Sequence, residues 1–446
     1  MAELADLDVV EAADALSRGD ASSRELVAAC LARIGERDPA INAWVRVYDE
    51  DALAAADLAD ERRARGDAGP LCGIPVALKD LYAVAGKPLT ASSSVLADVP
   101  TRDCDAWARL RAAGMVLLGH VHTHEFAAGG TTDQVANPWA LDRSAGGSSG
   151  GSAAALASHT TPAATGTDTA GSLRIPSAMC GTSTIKPTRG LVSIRGIVPL
   201  APSLDHAGPM ARTVADCEPL LAALAGATPP RERRPLRRVA LSPRIGDLDP
   251  DVADGLERTL DPDVADGLER ALAHLDVVAA PPPAVELDLG LALLDVLTAE
   301  MLVYHRGFDD RRELYRPSTR GFREYAEQRA MTALEYAAAQ IRREEDGAAW
   351  LDWFHEHRID ALVEPTLPIV ARPRGRGYDE PFKDAAEISL THYWNWTGFP
   401  VVALPSGVGG RSGLPVSVSL VGAPGADWDL LAAGAALQAE LGTVSP

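Results

Sequence analysis

Cysteine is scarce in this sequence, and its five residues show no recurrent spacing. They stand at positions 30, 72, 104, 180 and 217 of 446, and no two are separated by only two residues. Such spacing indicates neither a zinc ribbon nor a disulfide framework. Because reduced thiols are typical of the cytoplasm, we expect a cytoplasmic protein whose cysteines are free.

Positive charge and long apolar runs are also lacking. The chain has 42 Lys and Arg residues against 62 Asp and Glu residues, a formal net charge of −20. Because phosphate binding requires a basic surface, this balance argues against a nucleic-acid partner. The opening sequence, MAELADLDVV, lacks the basic and apolar regions of a signal peptide, and no apolar run reaches membrane-spanning length. We expect no membrane contact, a small-molecule substrate, and a monomer or homodimer.

Helical and strand-like patterns alternate along much of the chain. Residues 8–16 and 22–34 have the periodicity of amphipathic helices, and 71–78 form an apolar run typical of a buried strand. Further on, a helical pattern at 107–113 precedes a strand pattern at 115–119. Alternation of this kind predicts an α/β protein built on a sheet.

The most distinctive stretch covers residues 146–187, GGSSGGSAAALASHTTPAATGTDTAGSLRIPSAMCGTSTIKP. Glycines interleaved with serines open it, a small-residue run at 152–158 predicts a tightly packed helix, and a second polar turn follows at 165–172. Glycine at this density lets the backbone approach a ligand closely, and successive N–H groups of such turns can converge on an anion. A hydroxyl beside converging N–H groups is what acyl transfer requires.

Other interpretations of this stretch are open. Gly/Ser-rich runs are often flexible linkers, although an alanine-rich helix and a second turn are not expected after a linker. A phosphate-binding loop would require Gly-Lys-Ser/Thr, which does not follow. His159 is the only histidine between 146 and 172, so a Ser-His-Asp arrangement has no clear local base.

Three successive motifs, GGSSGGS, TDTAGSLR and KPTRG, together resemble the amidase signature family of serine hydrolases. Ser148 and Ser172 are 24 positions apart, the interval between that family's two serines. The resemblance covers about 21–216 and resumes over about 361–437. It implies a single amidase domain over 1–446 with an α/β amidase signature fold, in which a large mixed β-sheet is covered by helices on both faces.

The resemblance also implies a Ser–cis-Ser–Lys triad. Ser172 would be the nucleophile, Ser148 the proton relay, and Lys79, at the end of the apolar strand, the base. A lysine accepts a proton only when it is neutral, and burial favours that form. We expect a cis peptide bond before Ser148, and neither cofactor nor metal.

The remaining site residues follow from the same motifs. The backbone N–H groups of the nucleophile turn are the predicted oxyanion hole, although the family more often has glycine at the second position: Thr169, Ala170, Gly171 and Ser172. The predicted supporting residues are Ser149, Asp168 and Arg174. The family often has a similar His-Glu-Phe beside its active site, and the predicted substrate-binding residues are Glu125, Phe126 and Gly147.

Within this domain, two segments are predicted to be helical. Residues 1–70 are predicted to form an N-terminal helical segment, and 225–357 a variable helical region on the substrate side. The latter holds a tandem duplication at 248–270, in which LDPDVADGLER recurs with a period of 12 residues. We interpret one copy as native helix and the other as an added surface turn. Aromatic residues are frequent at 299–357; by default they are core, but some are expected to line a pocket.

We therefore predict a C–N hydrolase acting on a linear amide, an aryl anilide, a carbamate (urethane) or an ester. One alternative is a zinc hydrolase, since His120, His122 and His124 would share one face of a strand. Another is the amidase subunit of a glutamine-dependent tRNA amidotransferase, which shares the triad. That subunit typically has glutamine after the signature arginine, where this chain has Ile175. A catalytically inactive binding protein is disfavoured because all three triad positions are filled.

Overall fold

The computed structural model describes residues 2–248, 260–375 and 385–446. The α-helices within these ranges are α1 (Ala2–Ala5), α2 (Val9–Arg18), α3 (Ser23–Ile41), α4 (Asp49–Ala64), α5 (Asp105–Ala112), α6 (Gly150–Ala157), α7 (Arg174–Cys180), α8 (Val214–Ala225), α9 (Pro262–Leu272), α10 (Ala292–His305), α11 (Pro317–Arg329), α12 (Ala333–His357), α13 (Ala385–Ile388), α14 (Tyr393–Thr397) and α15 (Asp427–Leu441). Short 3₁₀ helices cover Glu125–Ala127, Pro243–Leu248 and Arg306–Leu314. None of the described helices is both long and apolar enough to cross a bilayer.

The strands within the described ranges are β1 (Trp44–Val47), β2 (Pro75–Lys79), β3 (Val116–Val121), β4 (Ala136–Asn137), β5 (Ala140–Ser144), β6 (Ala163–Asp168), β7 (Ser183–Lys186), β8 (His206–Ala211), β9 (Val239–Leu241), β10 (Val277–Val278), β11 (Ala361–Pro365), β12 (Val401–Val408) and β13 (Pro415–Val421). An 11-stranded sheet has the order β1-β3-β2-β6-β8-β7-β12-β13-β11-β9-β10, and β4 pairs separately with β5. Parallel and antiparallel pairs alternate in blocks, so the sheet is mixed, as predicted.

Helices cover both faces of this sheet, which confirms the predicted fold class. Along β2, Val76 and Leu78 belong to one apolar cluster while Ala77 belongs to another, because successive side chains of a strand point to opposite faces. The second cluster contains alanines of α6, whose eight residues are all buried. Small side chains therefore let α6 lie close against the sheet.

The geometry of β2, β6 and β3 sets the position of the candidate site. Strand β2 runs parallel to both neighbours, with Val76 opposite Ala163 of β6 and Lys79 opposite Val121 of β3. Carboxyl ends of parallel strands meet at one edge of a sheet. Lys79 at the end of β2 and Thr167 near the end of β6 are thereby brought to the same edge.

The two predicted helical segments each contain strands as well. In 1–70, α2 and α3 are where the periodicity placed helices, and Ser22 and Glu25 form the expected capping box. The four-residue strand β1 was not predicted, and it pairs at the sheet edge with β3. In 225–357, the short strands β9 and β10 join the sheet; they were missed because each is too short to give a periodic signal.

The duplication is only partly within the described residues. Positions 249–258 of the first copy lie outside them, so the interpretation of one copy as a surface turn stays a prediction. The second copy forms α9, which begins at Pro262 after the capping residue Asp261. Asp263 accepts hydrogen bonds from the backbone N–H groups of Arg411 and Ser412, which docks α9 beside β13. The second copy is therefore helical, and which copy is the added one stays a prediction.

Candidate active site

Lys79 is completely buried, and three hydroxyl groups surround its amine. Its Nζ lies 2.8 Å from the Oγ of Ser148, 2.8 Å from the Oγ of Ser149 and 2.8 Å from Oγ1 of Thr167. Burial lowers the pKa of Lys79 well below its ordinary value, and the negative charges of Asp168 and Asp205 oppose that shift only in part. The arrangement favours a neutral amine in contact with Ser148.

Ser148 follows a cis peptide bond from Gly147, as predicted. Gly147 is pressed against the backbone of Thr131, whose carbonyl oxygen would lie 2.3 Å from an added Cβ. The carbonyl oxygen of Ser148 accepts hydrogen bonds from the N–H of His124 and the hydroxyl of Thr132. Ser148 is therefore fixed on one side by segment 124–132 and on the other by Lys79.

Ser172 lies across from Ser148 on the second turn. The N–H of Ser149 donates to the carbonyl oxygen of Ser172 at 3.3 Å, so the two turns are in direct contact. Within the described ranges the Ser172 hydroxyl makes no hydrogen bond, and no bond joins it to Ser148. Its residue is 6% exposed and lines a large cavity. Lys79 and Ser148 are thus in direct contact, while Ser172 lines the large cavity.

The turn before Ser172 presents backbone donors, but one of the four predicted N–H groups is occupied. Gly171 donates its N–H to Oδ1 of Asp168 at 2.8 Å. The N–H groups of Thr169, Ala170 and Ser172 have no acceptor in the part of the chain that the structure describes. Ala170 is not among the residues with positive φ, so alanine fits where the family more often has glycine. Of the four predicted N–H groups, three are therefore without an acceptor within the described ranges.

Asp168 and Arg174, two of the predicted supporting residues, form a buried ion pair beneath this turn. Arg174 Nε donates to Oδ2 of Asp168 at 2.9 Å, and its Nη2 donates to Oδ1 at 3.0 Å. Burial by itself raises the pKa of Asp168, but the charge and hydrogen bonds of Arg174, with Lys186 and Asn395, lower it below the ordinary value. A charged Asp168 therefore holds the turn through Gly171 and Leu173.

Ser149, the third predicted support, contacts both Lys79 and β6. Its hydroxyl accepts from the lysine and donates to the carbonyl oxygen of Thr167 at 3.3 Å. Sequence reasoning did not select Thr167, although TGTDT places a threonine at every second position of a strand, which is a signal for one shared face. Asn395 was also missed, because it reaches Asp168 from 227 positions away and no local pattern indicates it.

A cavity of about 750 Å³ opens above Ser172. Its surface is mainly apolar, and α10, α11, α7 and the 386–392 segment all contribute side chains to it. The lining residues are Ala127, Ala128, Gly129, Gly130, Thr169, Ala170, Ser172, Ile175, Leu200, Arg244, Leu287, Asp288, Gly290, Leu291, Leu293, Leu294, Leu297, Phe322, Tyr325, Ala386, Ile388, Ser389, Leu390 and His392.

The three predicted substrate-binding residues are not among those that line this cavity. Glu125 is buried, and its carboxylate accepts from the Ser93 hydroxyl and the N–H of Arg316. Phe126 is fully buried among aromatic rings, with its centroid 4.6 Å from that of His305. Gly147 packs on backbone. The side chains of Glu125 and Phe126 anchor the 3₁₀ helix, and the residues that follow, 127–130, contact the cavity instead.

The aromatic residues of 299–357 divide between core and cavity. Phe322 and Tyr325 on α11 line the cavity. Trp350 and its neighbours Trp353 and Phe354 on α12 are buried in the main core. These aromatics therefore belong in part to the cavity wall and in part to the core.

The three histidines of the zinc alternative do not converge. Strand β3 ends at Val121, so the alternation that would place all three on one face does not continue. His120 contacts Tyr48 and the carbonyl oxygen of Tyr82, whereas His122 contacts Ser92. In the described part of the chain no group of three His, Cys, Asp or Glu side chains is arranged to hold a metal ion. The zinc alternative has no geometric basis here.

Comparison with known proteins agrees with this geometry. The sequence model of the Amidase family matches residues 25–431. A glutamyl-tRNA(Gln) amidotransferase subunit from Roseiflexus sp. (strain RS-1) is 36% identical over 98% of this chain and 97% of its own. A crystal structure of an amidase superposes with a TM-score of 0.86 at 31% identity, covering 98% of this chain and 100% of the other. A 6-aminohexanoate cyclic dimer hydrolase in complex with substrate has a TM-score of 0.84 at 27% identity, over 98% of both chains. The chain therefore belongs to the amidase family, as an amidase signature hydrolase of C–N bonds.

Proposed function

We propose that this enzyme cleaves its substrate through an acyl-enzyme on Ser172, with Ser148 as proton relay and Lys79 as base. The single observation that carries the proposal is the completely buried amine of Lys79 at 2.8 Å from the Ser148 hydroxyl, beside the turn that bears Ser172. Serine is a poor nucleophile until a base removes its proton, and a neutral lysine is such a base.

In the first half-reaction the Ser172 oxygen attacks the substrate carbonyl carbon, and its proton passes through Ser148 to Lys79. The N–H groups of Thr169, Ala170 and Ser172 donate to the oxyanion that forms. The proton then returns through Ser148 to the leaving amine as the C–N bond breaks. In the second half-reaction water attacks the acyl carbon, the same groups take its proton, and Ser172 is regenerated.

We propose an uncharged substrate with a bulky apolar group on at least one side of the scissile bond. The cavity surface is mainly apolar, and its lining includes three leucines of α10 together with Phe322 and Tyr325 of α11. The volume of about 750 Å³ is sufficient for a drug-sized molecule. Aryl anilides, carbamates and hydrophobic linear amides fit this description, so aryl acylamidase and urethanase activities are the ones to test first, with esters as a further class.

A second candidate is the amidase subunit of a glutamyl-tRNA(Gln) amidotransferase, because relatives at 34–37% identity bear the name of that enzyme. In that case the protein would act with partner subunits and on tRNA, contrary to the expectation that it has no nucleic-acid partner. Ile175 lines the cavity at the position directly after Arg174, where that subunit typically has glutamine. An isoleucine side chain cannot form the hydrogen bonds that a glutamine side chain would form there. This apolar contact favours a hydrolase that acts by itself.

The experiment is a substrate panel with matched serine variants. The purified chain is assayed on anilides, carbamates, primary amides, esters and glutamine. We expect turnover of the apolar substrates by the chain alone, its loss in Ser172→Ala, and its retention in Ser177→Ala, where the buried hydroxyl has no partner within the described ranges. Circular dichroism verifies that both variants fold. Turnover of glutamine alone, or activity in Ser172→Ala, would contradict the proposal.

A further inference from the structure

The neutral amine of Lys79 can accept a hydrogen bond from only one of the three hydroxyls around it. A neutral amine has two N–H donors and one lone pair, whereas Lys79 has three hydroxyl neighbours at 2.8 Å each. If Lys79 is the base, as proposed above, the lone pair must face Ser148. The other two hydroxyls must then accept hydrogen bonds from Lys79 and direct their own protons elsewhere.

For Ser149 the structure provides that other acceptor. The Ser149 hydroxyl donates to the carbonyl oxygen of Thr167 at 3.3 Å, so its oxygen is free to accept from Lys79. The structure shows no such acceptor for Thr167. Over the described ranges the Thr167 hydroxyl accepts from Lys79 and donates to no other group. A Thr167 proton aimed at the lone pair would compete with Ser148.

A small second cavity lies beside Thr167. It measures about 30 Å³, and its lining includes Thr167, Thr169 and Asp205 among mainly apolar residues. The Thr169 hydroxyl, just past the end of β6, donates to Oδ1 of Asp205 at 2.6 Å. Both threonines and the Asp205 carboxylate therefore border the same cavity. A cavity of this size holds one water when two or more polar groups border it.

We propose that a water molecule in this cavity accepts the Thr167 hydroxyl proton and donates to the Asp205 carboxylate. The bridge turns the Thr167 proton away from Lys79, so that the lone pair is left to Ser148. Thr167 is then a positioning residue that acts through Lys79, and Asp205 serves both this bridge and the oxyanion turn through Thr169.

The water itself is tested by a high-resolution crystal structure of the unmodified enzyme. We expect a density peak within hydrogen-bond distance of both Thr167 Oγ1 and an Asp205 carboxylate oxygen, and its loss in Thr167→Val. A dry cavity, or a water that contacts only other groups, overturns the bridge. This result does not depend on which residue is the nucleophile, so it separates failure of the bridge from failure of the proposed function.

The positioning role is tested by the pH dependence of kcat/KM in a set of threonine variants. The charged or titratable groups that face Lys79 are Asp168, Asp205 and His124, and burial keeps His124 neutral by lowering its pKa to about 3. A hydroxyl that accepts a hydrogen bond from Lys79 favours the protonated form of the lysine and so raises its pKa. Thr167→Val should therefore lower the pKa of Lys79 and shift the acid limb of the kcat/KM profile to lower pH. We also expect kcat/KM to fall on the order of tenfold, because the lone pair is less well directed.

Two further variants make this result specific. Thr167→Ser keeps the hydroxyl and should restore the wild-type profile. Thr165→Val is the matched control, since Thr165 is on the same strand but accepts from the backbone N–H of Lys79 and not from its amine. We expect no shift of its acid limb. An unshifted Thr167→Val, or equal shifts in Thr165→Val and Thr167→Val, would overturn the positioning role.

Discussion

Replacing Arg174 by methionine should destabilise the fold strongly, because it leaves a buried carboxylate without its counter-charge. Arg174 is 1% exposed and Asp168 is 0% exposed. Arg174 makes two hydrogen bonds to Asp168, one to the carbonyl oxygen of Thr391 and one to Asn395. Removing one partner of such a pair costs about 3–5 kcal/mol of unfolding free energy, a large part of the stability of a typical domain.

The loss should depend on pH in a definite direction. In the native enzyme the pKa of Asp168 is lowered, so its stabilising contribution is present at neutral pH and is lost only as pH falls through that lowered pKa. Without Arg174, burial raises the pKa of Asp168 above its unfolded value. The folded variant then binds a proton as pH falls from 7 towards about 4, and the stability difference from wild type should narrow.

The assay is guanidinium unfolding of wild type and Arg174→Met at several pH values. Arg195→Met is the control, because Arg195 pairs with Asp105 at an exposed site and its loss should leave the midpoint nearly unchanged. The double variant Asp168→Asn with Arg174→Met should recover part of the stability. Equal unfolding midpoints for Arg174→Met and Arg195→Met would contradict this role of the ion pair, as would a double variant no more stable than Arg174→Met alone.

Three further outcomes follow from the site. Gly171→Ala should lower kcat/KM by about 100-fold, since an added Cβ would lie 2.3 Å from Thr391 Oγ1 at a φ of +136°; Gly190→Ala, with open space around it, should stay active. Activity should rise with pH as Lys79 loses its proton, and a flat profile between about pH 6 and about pH 9 with chemistry rate-limiting would contradict its role as base. Treatment with a strong chelator should leave turnover unchanged, because the three zinc-candidate histidines hold separate partners; inactivation that zinc restores would revive that alternative.

Motif spacing indicates which residues share a turn or a strand end, and the structure brings Lys79, Ser148 and the turn that bears Ser172 together. Lys79 ends an apolar strand, and the two serine turns flank a helix of small residues, so a parallel sheet brings all of them to one edge. The fold class, the cis peptide bond before Ser148 and the capping box of α3 were accessible in the same way, from local composition and resemblance.

The parts that were missed depend on contacts between distant segments. Asn395 and Thr391 hold the turn before Ser172 from more than 200 positions away; Thr391 is 221 positions from Ala170, whose carbonyl oxygen accepts a hydrogen bond from its hydroxyl. Phe126 was assigned to the substrate because it follows a family-like histidine, yet its ring packs into a cluster supplied by α10 and the following 3₁₀ helix. The direction of a side chain at a turn is set by such packing, which a linear motif does not contain.

A linear motif also fails to distinguish the N–H groups of the turn at 169–172. From the motif, four successive N–H groups are equivalent candidates, and only the folded backbone distinguishes them. Asp168 takes the N–H of Gly171, so the glycine is required for its positive φ and its close contact with Thr391. Its role is conformational, whereas Thr169, Ala170 and Ser172 present the donors that the described residues leave free.

The central claim is that the Ser172 hydroxyl forms the covalent intermediate. A phosphonylating probe that reacts with activated serines, followed by peptide mass mapping, tests this most directly. We expect one adduct on Ser172 in the wild-type enzyme and much slower labelling in Lys79→Met. An adduct on Ser148 or any other side chain, with Ser172 unmodified, would contradict it.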